Sequence, residues 1–167
     1  MSSPAAEPVD RADYGPAYRP TPFERGTDGP RTIVVGVDGS PTSLRAAAYA
    51  CGLARRQHSR LVAAYVAAPS PLTAAALGIA AGAEEQTFDE LATQLRCAAK
   101  DRADEYQLPI TFMRLRGDPY TELCKVADEL RADMLVVGLS AQRGHKLIGS
   151  IATKLVKTGR WPVVVVP

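Results

Sequence analysis

Five short apolar runs, separated by segments with helical spacing, constrain the fold of this chain most strongly. The first, TIVVGV, is rich in β-branched residues and too short for a core helix. Strands that alternate with helices predict a parallel sheet covered by helices on both faces. We therefore expect an open five-stranded α/β domain over residues 31–167, with its strands at 32–37, 60–66, 109–116, 133–139 and 162–167.

Capping residues mark where the helices begin. Ser40–Pro41 and Asp118–Pro119 each place a side chain that caps helices before a proline, which the first helical turn tolerates. Apolar residues recur at helical spacing after both. A third amphipathic stripe includes Phe88, Leu91 and Leu95, and a fourth helix is expected from Ser150 to a stop at Gly159.

The remaining segments are polar or low in complexity. Residues 1–30 hold six of the thirteen prolines and few aliphatic side chains, so we expect a disordered tail. The run 109–116 alternates apolar residues with arginines, which predicts an edge strand. The connection 67–83 is either a functional loop or low-complexity sequence, and the sequence leaves both open.

Composition excludes several classes of function. The 20 basic and 18 acidic residues are interspersed, so no extended positive face for nucleic acid is expected. Three widely spaced cysteines do not indicate a disulfide framework or a metal site. No apolar stretch has the length of a signal peptide core or a membrane span, so we expect a cytoplasmic protein.

The ends of two strands indicate a ligand site. In an open parallel sheet, ligands bind beyond the carboxyl ends of the strands where the winding reverses. With strand order 3-2-1-4-5, Asp38 after the first strand and the loop 138–150 after the fourth lie side by side. Asp38 can accept hydrogen bonds from a ribose or base, while N–H groups of Gly138, Gly149, Ser150 and Ile151 hold phosphates.

A purely structural interpretation of the same residues is equally open at this point. Asp38 and Ser40 can cap one helix, and Ser150 can cap another. Enzyme motifs are absent. The P-loop spacing is wrong, and Gln142 interrupts a nucleophile elbow around Ser140. We therefore expect no catalytic residues.

The blocks VVGVDGS, GDPYTELCKVADELRADMLVVGL and GSIATKLVKTGRWPVVVVP, in this order, resemble the universal stress protein family over residues 31–167. The resemblance implies a Rossmann-like sheet of order 3-2-1-4-5, similar to the adenine nucleotide alpha hydrolase fold. It also implies stress-related regulation in the cytoplasm, and usually a homodimer. Some members bind ATP, with Mg²⁺, and others do not.

The family's nucleotide-binding pattern carries over in part. Asp38 matches its acidic residue, Val66 its aliphatic contact, and Gly138, Gly149 and Ser150 its first glycine and final pair. The second glycine is replaced by Ala141, and the loop is two residues shorter than the pattern, although Gly144 could supply flexibility. We favour retained ATP binding, with at most slow ATP hydrolysis. The alternative is a nucleotide-free dimeric interaction module with a degenerate phosphate loop.

The last strand predicts an oligomer. A fifth strand in this order has only one neighbour, and PVVVVP would expose an apolar edge. Pairing with the same strand of a second copy covers that edge around a two-fold axis. We therefore expect a homodimer through residues 162–167, which would act on a regulatory protein partner that the sequence does not identify.

Overall fold

The computed structural model describes residues 8–18, 29–68, 81–139 and 150–167, with the backbone alone at 81–84 and 150. Six strands and four helices follow one another along these ranges. In chain order they are β1 (Asp10–Tyr14), β2 (Thr32–Val37), α1 (Pro41–Gln57), β3 (Arg60–Ala67), α2 (Ala81–Tyr106), β4 (Ile110–Arg116), α3 (Pro119–Glu129), β5 (Met134–Gly138), α4 (Ser150–Thr158) and β6 (Val163–Val166).

The strands form a single sheet of order β1-β4-β3-β2-β5-β6. Strands β2 to β6 are parallel and have the predicted order 3-2-1-4-5. In the centre, Val35 of β2 pairs with Ala63 of β3 on one side and with Val136 of β5 on the other. The predicted α/β class and winding are therefore confirmed, and the carboxyl ends of β2 and β5 lie next to each other.

The sheet has a sixth strand that the sequence analysis did not predict. Residues Asp10–Tyr14, expected to be part of a disordered tail, pair antiparallel with β4. That expectation was wrong for these residues because a short polar strand gains backbone hydrogen bonds at a sheet edge without an aliphatic core of its own. For the same reason the prediction that residues 109–116 form an edge strand was wrong. Residues 1–7 and 19–28 lie outside the described residues.

Helices cover both faces of the sheet, as predicted. One core layer lies beneath α1 and α2 and contains Ile33, Val35 and Phe112, while the other lies beneath α3 and α4 and contains Val34, Met113 and Leu135. These six side chains are at most 2% exposed. No helix within the described ranges is long and apolar enough to cross a membrane.

The two helix caps predicted before prolines are present. The hydroxyl oxygen of Ser40 accepts a hydrogen bond from the Ser43 N–H (3.2 Å), and a carboxylate oxygen of Asp118 accepts one from the Thr121 N–H (2.9 Å). The hydrogen bond from the Thr121 N–H, with that from its hydroxyl, holds the pKa of Asp118 below its ordinary value. Helix α4 ends before Gly159, which has φ +63°. The loop expected within 67–83 lies outside the described residues at 69–80.

Asp133 joins the beginnings of two neighbouring strands. One of its carboxylate oxygens accepts hydrogen bonds from the backbone N–H groups of Arg31 and Thr32, both at 2.9 Å. The Asp133 N–H in turn donates to the carbonyl of Thr32. This single side chain therefore fixes the start of β2 against the start of β5.

Gly138 lets the end of β5 approach the first turn of α1. A β-carbon at this position would lie 2.6 Å from both the Ser43 nitrogen and the Thr42 carbonyl carbon. Both are backbone atoms, so they cannot move aside as a flexible side chain could. The glycine is therefore explained by packing at this point, whatever else the residue does.

We expect Asp133→Ala to lower the free energy of unfolding by about 2 kcal/mol, because two partly buried N–H groups lose their acceptor. Asp133→Asn should lose less, since its amide oxygen can still accept. The measurement is urea unfolding at one fixed protein concentration. Asp101→Ala, at an exposed site on α2, is the control and should change little. Equal stabilities of the two alanine variants would contradict the role of Asp133.

We expect Gly138→Ala to lower the free energy of unfolding by about 3 kcal/mol, because the added methyl group overlaps backbone of α1. Gly52→Ala is the matched control. It lies inside α1, where a β-carbon would approach only the end of the Arg56 side chain, at 3.3 Å. That change should stabilise by about 0.5–1 kcal/mol through helix propensity. A Gly138→Ala variant as stable as the parent chain would refute the close approach.

Candidate functional site

A cavity of about 470 Å³ opens at the carboxyl ends of the central strands. Four of the residues singled out in the sequence line it together, namely Asp38, Val66, Gly138 and Ile151. They come from the ends of β2, β3 and β5 and from the first turn of α4. This is the place where an open parallel sheet with this winding binds ligands.

The cavity has an apolar side and a polar side. The apolar wall is formed by Ala64, Val66, Leu123, Val137, Ile151 and Ala152, and it is continuous with the core layer beneath α3 and α4. The polar side is the beginning of α1, with Asp38 just before it. Small-molecule sites combine such an apolar wall with a few converging polar groups, usually in about 300–1,000 Å³.

Asp38 is held in place from within its own turn. Its Oδ1 accepts a hydrogen bond from the Ser40 N–H (2.9 Å), and its own N–H donates to the Ser43 hydroxyl (3.2 Å). Burial by itself raises the pKa of Asp38, but hydrogen bonds from Ser40 and Ser43 and from backbone N–H groups outweigh that effect and lower it. The side chain is therefore an anionic acceptor at neutral pH, with its orientation fixed beside the cavity.

The hydroxyl groups near Asp38 form hydrogen bonds within the same turn. The Ser43 hydroxyl donates to the carbonyl of Ser40 (3.0 Å), and the hydroxyl oxygens of Ser40 and Thr42 lie 3.2 Å apart. The cap predicted at Ser40 is thus present, whereas Asp38 accepts its hydrogen bond in the turn that precedes the helix. The cap is compatible with a binding site, because both residues line the cavity. The same turn therefore begins α1 and lines the cavity.

Arg45 supplies a positive charge that the sequence analysis missed. It lies on α1, is exposed, and lines the same cavity as Asp38. Thr42, Ser43 and Pro119 were missed as well. A signal for them existed in the sequence, because helices that begin directly after strand ends in this topology present their first turns to the crevice.

The described structure covers only part of the predicted phosphate loop. Gly144 and Gly149 lie outside the described residues, and Ser150 is described only as the first residue of α4. The beginning of α4 reaches the cavity through Ile151. Its N–H groups therefore start at the cavity, and the positive end of a helix favours an anion there.

The described residues hold no cluster of three or more histidine, cysteine or acidic side chains that could bind a metal ion. The three cysteines are separate thiols, and burial raises the pKa of Cys51 and Cys124. A thiol with a raised pKa is a weak nucleophile at neutral pH.

Residues 29–167 match the sequence profile described as the universal stress protein family. A universal stress protein of Methanocaldococcus jannaschii is 31% identical over 142 residues, which cover 81% of each chain. A solved member of the family from Burkholderia pseudomallei is 26% identical with a TM-score of 0.65, over 82% of this chain and 96% of that one. A universal stress protein solved in complex with cAMP is 28% identical with a TM-score of 0.56, over 83% and 97%. This chain belongs to the universal stress protein family.

Proposed function

We propose that this protein is a cytoplasmic stress-response regulator that binds an adenine nucleotide, ATP in the first place, in the cavity between the ends of β2 and β5. The observation that carries the proposal is the placement of Asp38, Val66, Gly138 and Ile151 around one cavity of about 470 Å³. The 28% identical relative solved with cAMP supports the choice of an adenine nucleotide.

Each side of the cavity has a role in this proposal. The apolar wall around Val66 and Val137 holds the flat face of the base. Asp38, kept ionised by its hydrogen bonds, accepts from the ribose hydroxyls or the base amine. The beginning of α4, with Ser150, holds the phosphates.

A positive charge and two glycines complete the proposed phosphate site. Arg45 adds a cation on the opposite wall of the cavity, where it can pair with phosphate oxygens. Gly144 and Gly149 are assigned, as in the sequence analysis, to the loop that passes around the phosphates. Bound Mg²⁺ would be coordinated mainly by the nucleotide and water, as this ion commonly is in phosphate sites.

A second candidate is a dimeric interaction module that binds no nucleotide. One specific observation favours it, since the hydrogen bonds between Asp38, Ser40 and Ser43 already explain those residues as a helix cap. The altered loop, with Ala141 in place of a glycine, points the same way. The two candidates are distinguished by whether the purified protein retains or takes up nucleotide.

We expect the purified protein, once denatured and extracted, to release adenine nucleotide at near one per chain, as read by chromatography. Asp38→Ala should weaken nucleotide binding at least about tenfold in calorimetry, which corresponds to about 1.4 kcal/mol. Asp104→Ala, on the exposed surface of α2, is the matched control and should bind normally. Val66→Phe should also weaken binding, because the larger side chain occupies part of the apolar wall assigned to the base.

One result would contradict nucleotide binding. A protein that carries no nucleotide, and whose melting temperature does not rise when ATP and magnesium are added, would support the nucleotide-free module instead.

We further propose that the protein forms a homodimer through β6. The carbonyl of Pro162 accepts a hydrogen bond from the Leu135 N–H of β5, and that of Val166 accepts one from the Leu139 N–H just after β5. Because backbone groups alternate in direction along a strand, those of Val163 and Val165 face away from β5. All four valines are half-buried in the single chain. An apolar edge of this kind is suited to pairing with the same strand of a second copy.

We expect Val165→Pro to convert the dimer to a monomer, because proline removes an outward N–H without removing a hydrogen bond to β5. Val165→Ala keeps that N–H and should remain dimeric. Sedimentation velocity at micromolar concentration reads the mass directly. A monomeric parent protein, or a proline variant that stays dimeric, would place the interface elsewhere or remove it.

A further inference from the structure

Strand β1 lies outside the part of the chain that defines the family. The family profile begins at residue 29, whereas β1 spans Asp10–Tyr14. The solved relatives from Burkholderia pseudomallei and in complex with cAMP are matched over 96% and 97% of their own lengths. The five parallel strands and the helices that cover them are therefore a complete domain, and β1 is an addition to its edge.

The addition follows a fixed register along β4. Five residue pairs run from Asp10 opposite Arg114 to Tyr14 opposite Ile110. The N–H of Val9 donates to the Arg114 carbonyl (2.6 Å) and extends the pairing by one residue. Within the described chain, β1 pairs with β4 alone. Its removal would therefore break no pairing among the parallel strands.

Side chains fix this register by charge. A carboxylate oxygen of Asp10 lies 2.5 Å from the guanidinium of Arg96 on α2. Asp13 accepts a hydrogen bond from the Thr111 hydroxyl on β4 and lies 3.8 Å from the guanidinium of Arg60 on β3. Burial by itself raises the pKa of Asp13, but the Thr111 hydrogen bond and the charges of Arg11 and Arg60 outweigh it and lower the pKa.

Aromatic packing and a glycine turn complete the contact. Tyr14 packs against the core layer beneath α1 and α2, and the Tyr18 ring lies 5.2 Å from the Arg60 guanidinium carbon. Gly15 has φ +80°, and a β-carbon there would overlap the backbone carbonyl of Leu108. Only glycine fits at this point, so the chain leaves β4 along one defined path.

We propose that the edge of β4 is a binding surface for an extended peptide, and that residues 8–18 are its ligand, bound within the same chain. The recognised pattern is two carboxylates three residues apart, an aromatic residue after the second, and then a glycine. Asp10 binds Arg96, Asp13 binds Thr111 and Arg60, and Tyr14 packs, partly buried, against the core. This is recognition by addition of a strand, in which backbone bonds give affinity and side chains give specificity. The same segment of a second copy fits the surface when the chain's own segment has left it.

Residues 8–18 cover this surface and so compete with ligands in solution. Because the bound segment is part of the same chain, its effective concentration at the surface is high, so a free peptide competes poorly with it. The surface becomes measurable when the tethered segment is loosened. Gly15→Ala does this in the full-length chain, because it acts only on the path of that segment past Leu108.

The test is fluorescence anisotropy with a labelled peptide of residues 8–18, in which Gly15 is kept. We expect full-length Gly15→Ala to bind it at least about tenfold more tightly than the parent chain does, because the tethered competitor is weakened. Gly159→Ala is the matched control, since this glycine also has positive φ but a β-carbon there would contact nothing within 4 Å. It should bind as weakly as the parent.

Charge reversal tests the register. On the Gly15→Ala background, Arg96→Glu should weaken binding of the natural peptide and favour a peptide that carries Asp10→Lys. The proposal is overturned if Gly15→Ala binds no better than the parent chain, or if Arg96→Glu leaves the preference between the two peptides unchanged. Circular dichroism melting identifies any variant that has unfolded.

Hydrogen exchange on the unmodified full-length protein gives an independent outcome. If β1 is a separable ligand, its backbone N–H groups exchange through local opening, much faster than those of the central strand β2. Exchange of β1 and β2 at one common rate would mean that β1 leaves only when the whole domain unfolds, and would overturn the proposal. Neither outcome depends on nucleotide binding.

Discussion

The approach of β5 to the beginning of α1 is the constraint on which the site depends. Gly138 lies against the backbone of Thr42 and Ser43, where no β-carbon fits. That contact brings the end of one central strand against the first turn of the helix that follows its neighbour. Asp38, at the end of β2, is oriented by Ser40 and Ser43 in the same turn. The contact that packs β5 against α1 therefore also shapes the polar side of the cavity.

Local signals in the sequence predicted most of the fold. The caps at Ser40 and Asp118 are decided by neighbouring residues, and the short apolar runs indicate parallel strands. The order of these strands was expected from the resemblance to the universal stress protein family. Strand β1 was missed because its partners are distant along the chain; Asp10 and Arg96 are 86 residues apart. The role of Asp133 was missed for the same reason, since its carboxylate accepts from the N–H of Arg31, 102 residues away along the chain. Asp38 and Gly138 could be singled out because the ends of apolar strands are visible in the sequence. Arg45 could not, because its position beside the cavity depends on the orientation of α1.

The two edges of the sheet differ in what covers them. The edge of β6 is short, apolar and built from four valines, and it suits a second copy of itself. The edge of β4 carries arginines, and the chain's own acidic segment covers it. If both edges were bare, pairing between copies could continue at each end of the sheet. A covered β4 edge therefore fits a protein that stops at two subunits.

The central claim is that Asp38, Val66, Gly138 and Ile151 surround an adenine nucleotide site. Nuclear magnetic resonance titration of the labelled protein with ATP tests it most directly. We expect the backbone N–H signals of these four residues to shift together and to saturate at one nucleotide per chain, while those of β1 stay in place. Shifts absent from these residues, or confined to another part of the surface, would contradict it.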